Sequence, residues 1–230
     1  MFDIQPADML NRSKQRNFVF TPVGNICNVQ IFTEMTMETC AEMIGNLNQI
    51  IAQLPQQPVF DTSTKIESPY DISPDTFVFD VAIDSSGGDR VAYKAIASMF
   101  ALAKSRGAII RTNNIGRASS AASMLAIQGT LGYRLMSQNA YNFIHYGTAR
   151  TTTVRANEVD IVQKNEKMDN TETVKVYKLY TKLTDKELKK FFAIEGTGQL
   201  FADTCLAKNL CDWILTSDGR FIGRNTGKSR

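Results

Sequence analysis

Apolar residues along this chain recur with two periods, and the alternation between them sets out the fold. Short runs rich in β-branched and aromatic residues predict strands over 17–20, 29–32, 77–83, 108–112, 133–136, 141–145 and 213–215. Between them the spacing turns helical. Cys40, Met43, Ile44, Leu47, Ile50 and Ile51 form one stripe, opened by Thr36 as an N-cap and closed before Pro55. Val91, Ala95, Ile96, Met99, Phe100 and Leu102 form a second over 89–105, ended by Gly107. Gly116 reads as a sharp turn into a helix of small residues that ends near Gln128 and Gly129, and a short helix is expected over 202–208. The segment 154–192 is charged and helical with sparse apolar members (Val159, Val162, Val174, Tyr177, Leu188) and an expected interruption at Asn170 and Thr171. Residues 1–16 are polar and mixed and read as an arm or loop. Residues 56–75, with three of the six prolines, read as a long surface loop. Strands alternating with helices predict parallel βαβ units and an α/β fold in one domain over 17–216, followed by a basic tail over 217–230.

Composition narrows the function classes. At 230 residues, 43% hydrophobic and 21% charged, the chain has enough apolar surface for a full core. The net charge of +3 is spread out, and no basic stripe is interleaved with aromatics, which argues against nucleic acid. Apolar stretches break within about ten residues, short of the roughly 20 a membrane helix needs. Residues 1–6 lack the basic-then-apolar pattern of a secretory leader. Four cysteines without CxxC spacing and a single histidine exclude a zinc set and fit buried, reduced thiols in a cytoplasmic protein.

Three features carry candidate chemistry. Ser120 stands in the segment Gly116–Met124, expected at the start of a helix, where backbone N–H groups favour developing negative charge. The same serines also suit plain capping of a packing helix. His145, the one histidine, ends an apolar strand; a neutral imidazole there is a natural base for a serine, and equally a structural residue. Gly87 and Gly88 follow Asp84-Ser85-Ser86. They make a strand-to-helix turn or, read chemically, bare a backbone N–H that a side chain would obstruct.

In order and spacing, these segments resemble the proteolytic subunit of the ATP-dependent Clp protease (the ClpP family), of which the chain looks like a divergent member. The likeness runs over about 17–216. It begins at Gln30–Thr36 and passes through Asp84-Ser85-Ser86-Gly87-Gly88 (the family's SPGG turn) and Ile115–Ala122 (its GQAASMG nucleophile segment). It continues in Phe143-Ile144-His145 (its MIH strand) and Asn209–Ile214 (its GLVDSI). Ser86, Arg117, Ser119, Ala121 and Ala122 depart from that pattern.

The resemblance implies a ClpP/crotonase-like spiral of βαβ units with 154–192 as a protruding helical handle and 1–16 as an N-terminal arm or axial loop. It implies a serine endopeptidase with Ser120 as nucleophile, His145 as base, and the Gly88 and Ala121 N–H groups as oxyanion hole. Ser119 is a rival nucleophile. Counting forward from 181–188 puts the triad acid at Glu195; counting back from Asp212 puts it at Thr197, and Asp203 is a third candidate. The resemblance further implies unfolded polypeptide substrates and a homo-oligomer, a heptameric ring or two stacked rings. No metal or organic cofactor is implied. ATP would be consumed by a separate AAA+ unfoldase, since this chain has no GxxxxGK[ST] loop. Two alternatives stand beside it. One is a non-catalytic structural subunit, and the other a crotonase-type acyl-CoA enzyme, against which the Ser120/His145 pairing argues. A serine-lysine peptidase of the signal-peptide-peptidase type is disfavoured by the histidine.

Overall fold

The computed structural model of this protein describes residues 20–61, 66–146, 159–193 and 198–224; the expected N-terminal arm lies outside them. The chain opens with a hairpin, β1 (Phe20–Val23) and β2 (Ile26–Ile31), turned at Gly24 with φ +60°. The pattern places these strands at 17–20 and 29–32, but Pro22 is accommodated inside β1 because β1 is an edge strand. Next come α1 (Met37–Gln53), β3 (Val78–Ser85), α2 (Arg90–Ser105), β4 (Ile109–Ser119), α3 (Ala121–Ile127), β5 (Arg134–Ser137) and β6 (Tyr141–Phe143). The chain closes with α4 (Val159–Tyr180), α5 (Asp185–Ala193), β7 (Gln199–Phe201), α6 (Ala202–Ala207), β8 (Trp213–Leu215) and β9 (Phe221–Gly223).

The central pairs β2–β3, β3–β4 and β4–β5 are parallel, in the order β1-β2-β3-β4-β5-β8-β9, so the α/β expectation holds. Parallel strands buried on both faces read as continuous apolar runs, and alternate residues serve the two faces. Phe79, Val81, Ile83 and Ile110 pack with Met43, Leu47, Ile51, Ile96 and Phe100 of α1 and α2 in the main core. On the opposite face Val78, Ile109 and Tyr133 meet Phe60, Ile66 and Ile72. The described parts of 56–75 carry no helix or strand and are mostly exposed, the expected surface loop, and they are anchored to the sheet. Arg111 holds them through the Pro69 carbonyl (3.4 Å) and the Tyr70 ring (4.5 Å), and Tyr133 donates to the Asp71 carbonyl (2.8 Å).

A buried ion pair ties the far ends of the helices together. Arg134 and Asp212 are 2% and 4% exposed and meet through two parallel bonds, Nε to Oδ2 (2.9 Å) and Nη2 to Oδ1 (2.7 Å). Arg134 also donates to the carbonyls of Ile127, Tyr180 and Asn209, which caps the C-termini of α3 and α4 where a cation is favoured.

The charged segment 154–192 forms two helices. The expected interruption at Asn170 and Thr171 is absent: Thr171 and Thr173 hydroxyls bond back to the carbonyls of Lys167 and Asp169, and Asn170 accepts from Arg90. The break falls at 181–184 instead, where Thr184 and Glu187 cap α5 reciprocally. The second half of α4 packs inward through Thr173 and Tyr177, whose hydroxyl donates to Ser123 Oγ at 3.0 Å. Lys164, Lys167 and Met168 of the first half are exposed.

Candidate active site

Ser120 occupies a turn between β4 and α3. β4 runs through Gly116, which the pattern makes the turn, and on to Ser119. A register shift against β3 (Ile83 opposite Asn114, Ser85 opposite Ala118) accommodates the extra residues of β4 as a bulge. Asp84 Oδ1 accepts the Arg117 N–H there (2.9 Å), and a Cβ on Gly116 would stand 3.0 Å from that carboxyl group. The chain reverses one residue later, with Ser120 at φ +54°, ψ −123°. A non-glycine residue in this region costs on the order of 1–3 kcal/mol and persists only where its surroundings enforce it. Here Ser120 N–H donates to the Phe143 carbonyl (2.9 Å) and its own carbonyl accepts from Met124 (3.1 Å). The Ser120 hydroxyl makes no capping bond to α3. Ser119 by contrast is buried in the strand, paired with Phe143.

The double glycine is pressed onto this turn. A Cβ on Gly87 (φ +91°) would fall 2.4 Å from the Ser119 carbonyl oxygen, 2.8 Å from Ser120 Cβ and 3.0 Å from the Ala121 nitrogen. Gly88 (φ +143°) lies in a bridge with Met35: Met35 N–H donates to the Gly87 carbonyl (2.7 Å) and the Asp89 N–H to the Met35 carbonyl (2.6 Å). Successive backbone groups of an extended chain point to opposite sides, so the Gly88 N–H faces away from Met35. The Ala121 N–H, at the first turn of α3, has no acceptor within the helix. Ser85 shapes the turn from behind, its hydroxyl donating to the Thr33 carbonyl (2.5 Å) and accepting from the Gly87 N–H (3.1 Å). Ser85 and Met35 are supports that the sequence reading did not assign, although Ser85 stands inside the Asp84–Gly88 motif itself.

Gly87→Ala should therefore cost a few kcal/mol, because backbone rather than a flexible side chain blocks the new methyl. It should shift the Ser120 turn as well. Urea unfolding and the rate of labelling by a serine-directed phosphonate would both fall, whereas a tolerated methyl would leave both unchanged.

His145 reaches the same region through β6. Arg117, Ala118 and Ser119 pair in parallel with Tyr141, Asn142 and Phe143, so His145 lies two residues past the partner of Ser119. It is half-buried with its ring 5.4 Å from that of Phe143. The next residue, Tyr146, stacks on Phe192 of α5 at 4.2 Å and 11°. Among the described residues neither the Ser120 hydroxyl nor the His145 imidazole makes a hydrogen bond. Glu195 and Thr197 lie outside the described residues. The chain re-enters at Gly198, whose carbonyl accepts from Ile144 N–H (2.8 Å), next to His145. Asp203 is exposed on α6, and the antiparallel β6–β7 register puts it beyond Tyr141, at the end of β6 away from His145. The structure thus separates Asp203 from the histidine.

Cys27, Cys40, Cys205 and Cys211 are free and buried, and burial pushes the Cys27 and Cys205 thiols up to about 12, so neither suits a thiolate nucleophile. Among the described residues no group of three His, Cys, Asp or Glu is placed to hold a metal ion, and no helix is long and apolar enough to cross a membrane. The family model described as Clp protease matches residues 73–216, which include every element from β3 to β8. No curated protein matches the chain.

Proposed function

The chain belongs to the Clp protease family, and we propose that it is an active serine endopeptidase whose nucleophile is Ser120. The observation that carries this reading is the strained Ser120 turn, held between the Gly87–Gly88 pair and the strand that leads to His145. His145 takes the Ser120 proton as Oγ attacks a peptide carbonyl. The Gly88 and Ala121 N–H groups hold the oxyanion, and His145 then passes the proton to the leaving amine. Water hydrolyses the resulting acyl-enzyme by the same steps. Glu195 orients the imidazole and stabilises its charged form. No metal or organic cofactor takes part, and ATP is spent by a separate AAA+ unfoldase that feeds unfolded polypeptides to the site.

The reading is tested by turnover of fluorogenic peptides and of an unfolded polypeptide such as casein. Glu195→Gln should lower kcat by about 10⁴, the size of effect seen when a triad carboxylate is lost. Near-normal activity in that variant would remove Glu195 from the triad and leave Thr197 as the residue to replace.

One observation favours a second reading, a non-catalytic subunit: the Ser120 and His145 side chains are not hydrogen-bonded to each other. Catalytic hydrogen bonds are often long in unliganded sites and tighten on binding, so peptide turnover separates the two readings.

We also assign the first half of α4, with its exposed Met168, to a handle that makes contacts between subunits of a ring. Light scattering should then give about seven or fourteen times the 25.6 kDa chain mass; a monomer across the working concentration range would refute the ring.

A further inference from the structure

Helices α2, α3 and α4 end around one cavity of about 380 Å³, at the opposite end of α3 from Ser120. That volume lies in the range of small-molecule sites. Two cations line it and none of its lining residues is acidic. Arg134 is fully engaged, with Asp212 and with carbonyls at the helix ends. Lys104 is not. Its ammonium gives one bond to the Gln128 carbonyl (3.0 Å) and lies 5.8 Å from the centre of the Tyr180 ring. An ammonium carries three donors, and among the described residues no carboxylate meets this one. Burial, and then the charge of Arg134, push the Lys104 pKa down, as befits a cation short of counter-charge.

The rim of the cavity is apolar. Val59, Leu131 and Leu179 come from three separate segments and are 65%, 41% and 76% exposed, while Phe60 and Tyr180 add aromatic wall. Single exposed apolar residues are ordinary, but three gathered at one opening make a patch that marks a binding site.

We infer that this cavity binds an aliphatic monocarboxylate, its head group on the Lys104 ammonium and its chain against Phe60, Leu131 and Leu179. A cationic amphiphile would meet two like charges, and a neutral one would leave Lys104 without a counter-ion.

Decanoate, kept below its micelle-forming concentration, is titrated calorimetrically into the complete chain, with decanol and decylammonium as matched probes. Saturable binding of one decanoate per chain is expected, about tenfold or more tighter than decanol, with no decylammonium binding. Lys104→Met keeps the aliphatic stem and should reduce decanoate to the level of decanol. Because Lys104 also bonds the end of α3, Leu179→Asp at the exposed rim serves as the second variant. It should weaken decanoate about tenfold by charge repulsion while leaving the circular dichroism spectrum unchanged. Absence of saturation, equal affinity for decanol, or undiminished decanoate binding by either folded variant would overturn the assignment.

Discussion

Replacing Ser120 by alanine is expected to reduce kcat for peptide cleavage by about 10⁶ while leaving the fold intact, since knocking out a serine nucleophile removes the covalent route altogether. The two serines that flank Ser120 in the segment are both otherwise placed. Ser119 is buried in β4, and Ser123 is buried with its oxygen accepting from Tyr177. The Ser120 side chain makes no capping bond to α3, so its loss removes no helix cap. Alanine is as strained at φ +54° as serine, and the thermal midpoint should hardly move. Ser120→Gly adds a sharper expectation. It should be equally inactive yet more stable than the wild type by up to about 1 kcal/mol, because glycine accepts positive φ without steric cost. Urea midpoints of the three proteins check this; a destabilised glycine variant would show that the turn is not under strain.

The largest effect on stability is expected at the Arg134–Asp212 pair. Asp212→Asn leaves a buried guanidinium without its counter-charge, and breaking one side of such a pair costs about 3–5 kcal/mol. For a chain of this size that corresponds to roughly 10 °C in the unfolding midpoint. Burial alone would raise the Asp212 carboxyl, but the bonds and charge of Arg134, with Arg224 behind them, outweigh it and hold it below its ordinary range. A carboxyl depressed in the folded state stabilises fully above its unfolded pKa of about 4 and loses that contribution as the pH falls through the lower folded value. Wild-type stability should therefore drop on acidification below about pH 4, and the share due to this pair should be missing from Asp212→Asn. Denaturant titrations across that range check the sign; a parallel decline in both proteins would place the acid sensitivity elsewhere.

Most of the fold was legible because its elements carry strong local patterns. The stripe from Cys40 to Ile51 and the capping Thr36 give α1 nearly to the residue, and Asp89 and Gly107 bracket α2 and its exit. What escaped the pattern depends on partners distant in sequence. Gly116 looks like a turn, yet it lies in a bulge because Asp84 receives the Arg117 N–H. Asn170 and Thr171 look like a helix break, yet their side chains find Arg90 and a carbonyl one turn back. Thr184 and Glu187 did carry a capping signature that marks the true break. Strands β7 and β9 have three residues each, too few for a period to show. The Arg134–Asp212 hub joins residues 78 apart and leaves no local trace.

At the site, local chemistry left Ser120, Gly88 and His145 each open to a structural reading, and it was the order and spacing of their segments, through the family resemblance, that singled them out. The structure presses Gly87, the neighbour of Gly88, onto the Ser120 turn and runs β6 beside it toward His145. The two readings of the acid position diverge over Gly196-Thr197-Gly198, where glycines and a threonine give no period to count by. The register does separate Asp203 from the histidine, which sequence distance could not.

The central claim, that the turn after β4 presents an activated serine, is tested most directly by reacting the intact protein with a fluorophosphonate and locating the adduct by tandem mass spectrometry. Stoichiometric modification of Ser120, lost in His145→Ala, is the result expected. Modification of Ser119, or none at any serine while the protein stays folded, would contradict it.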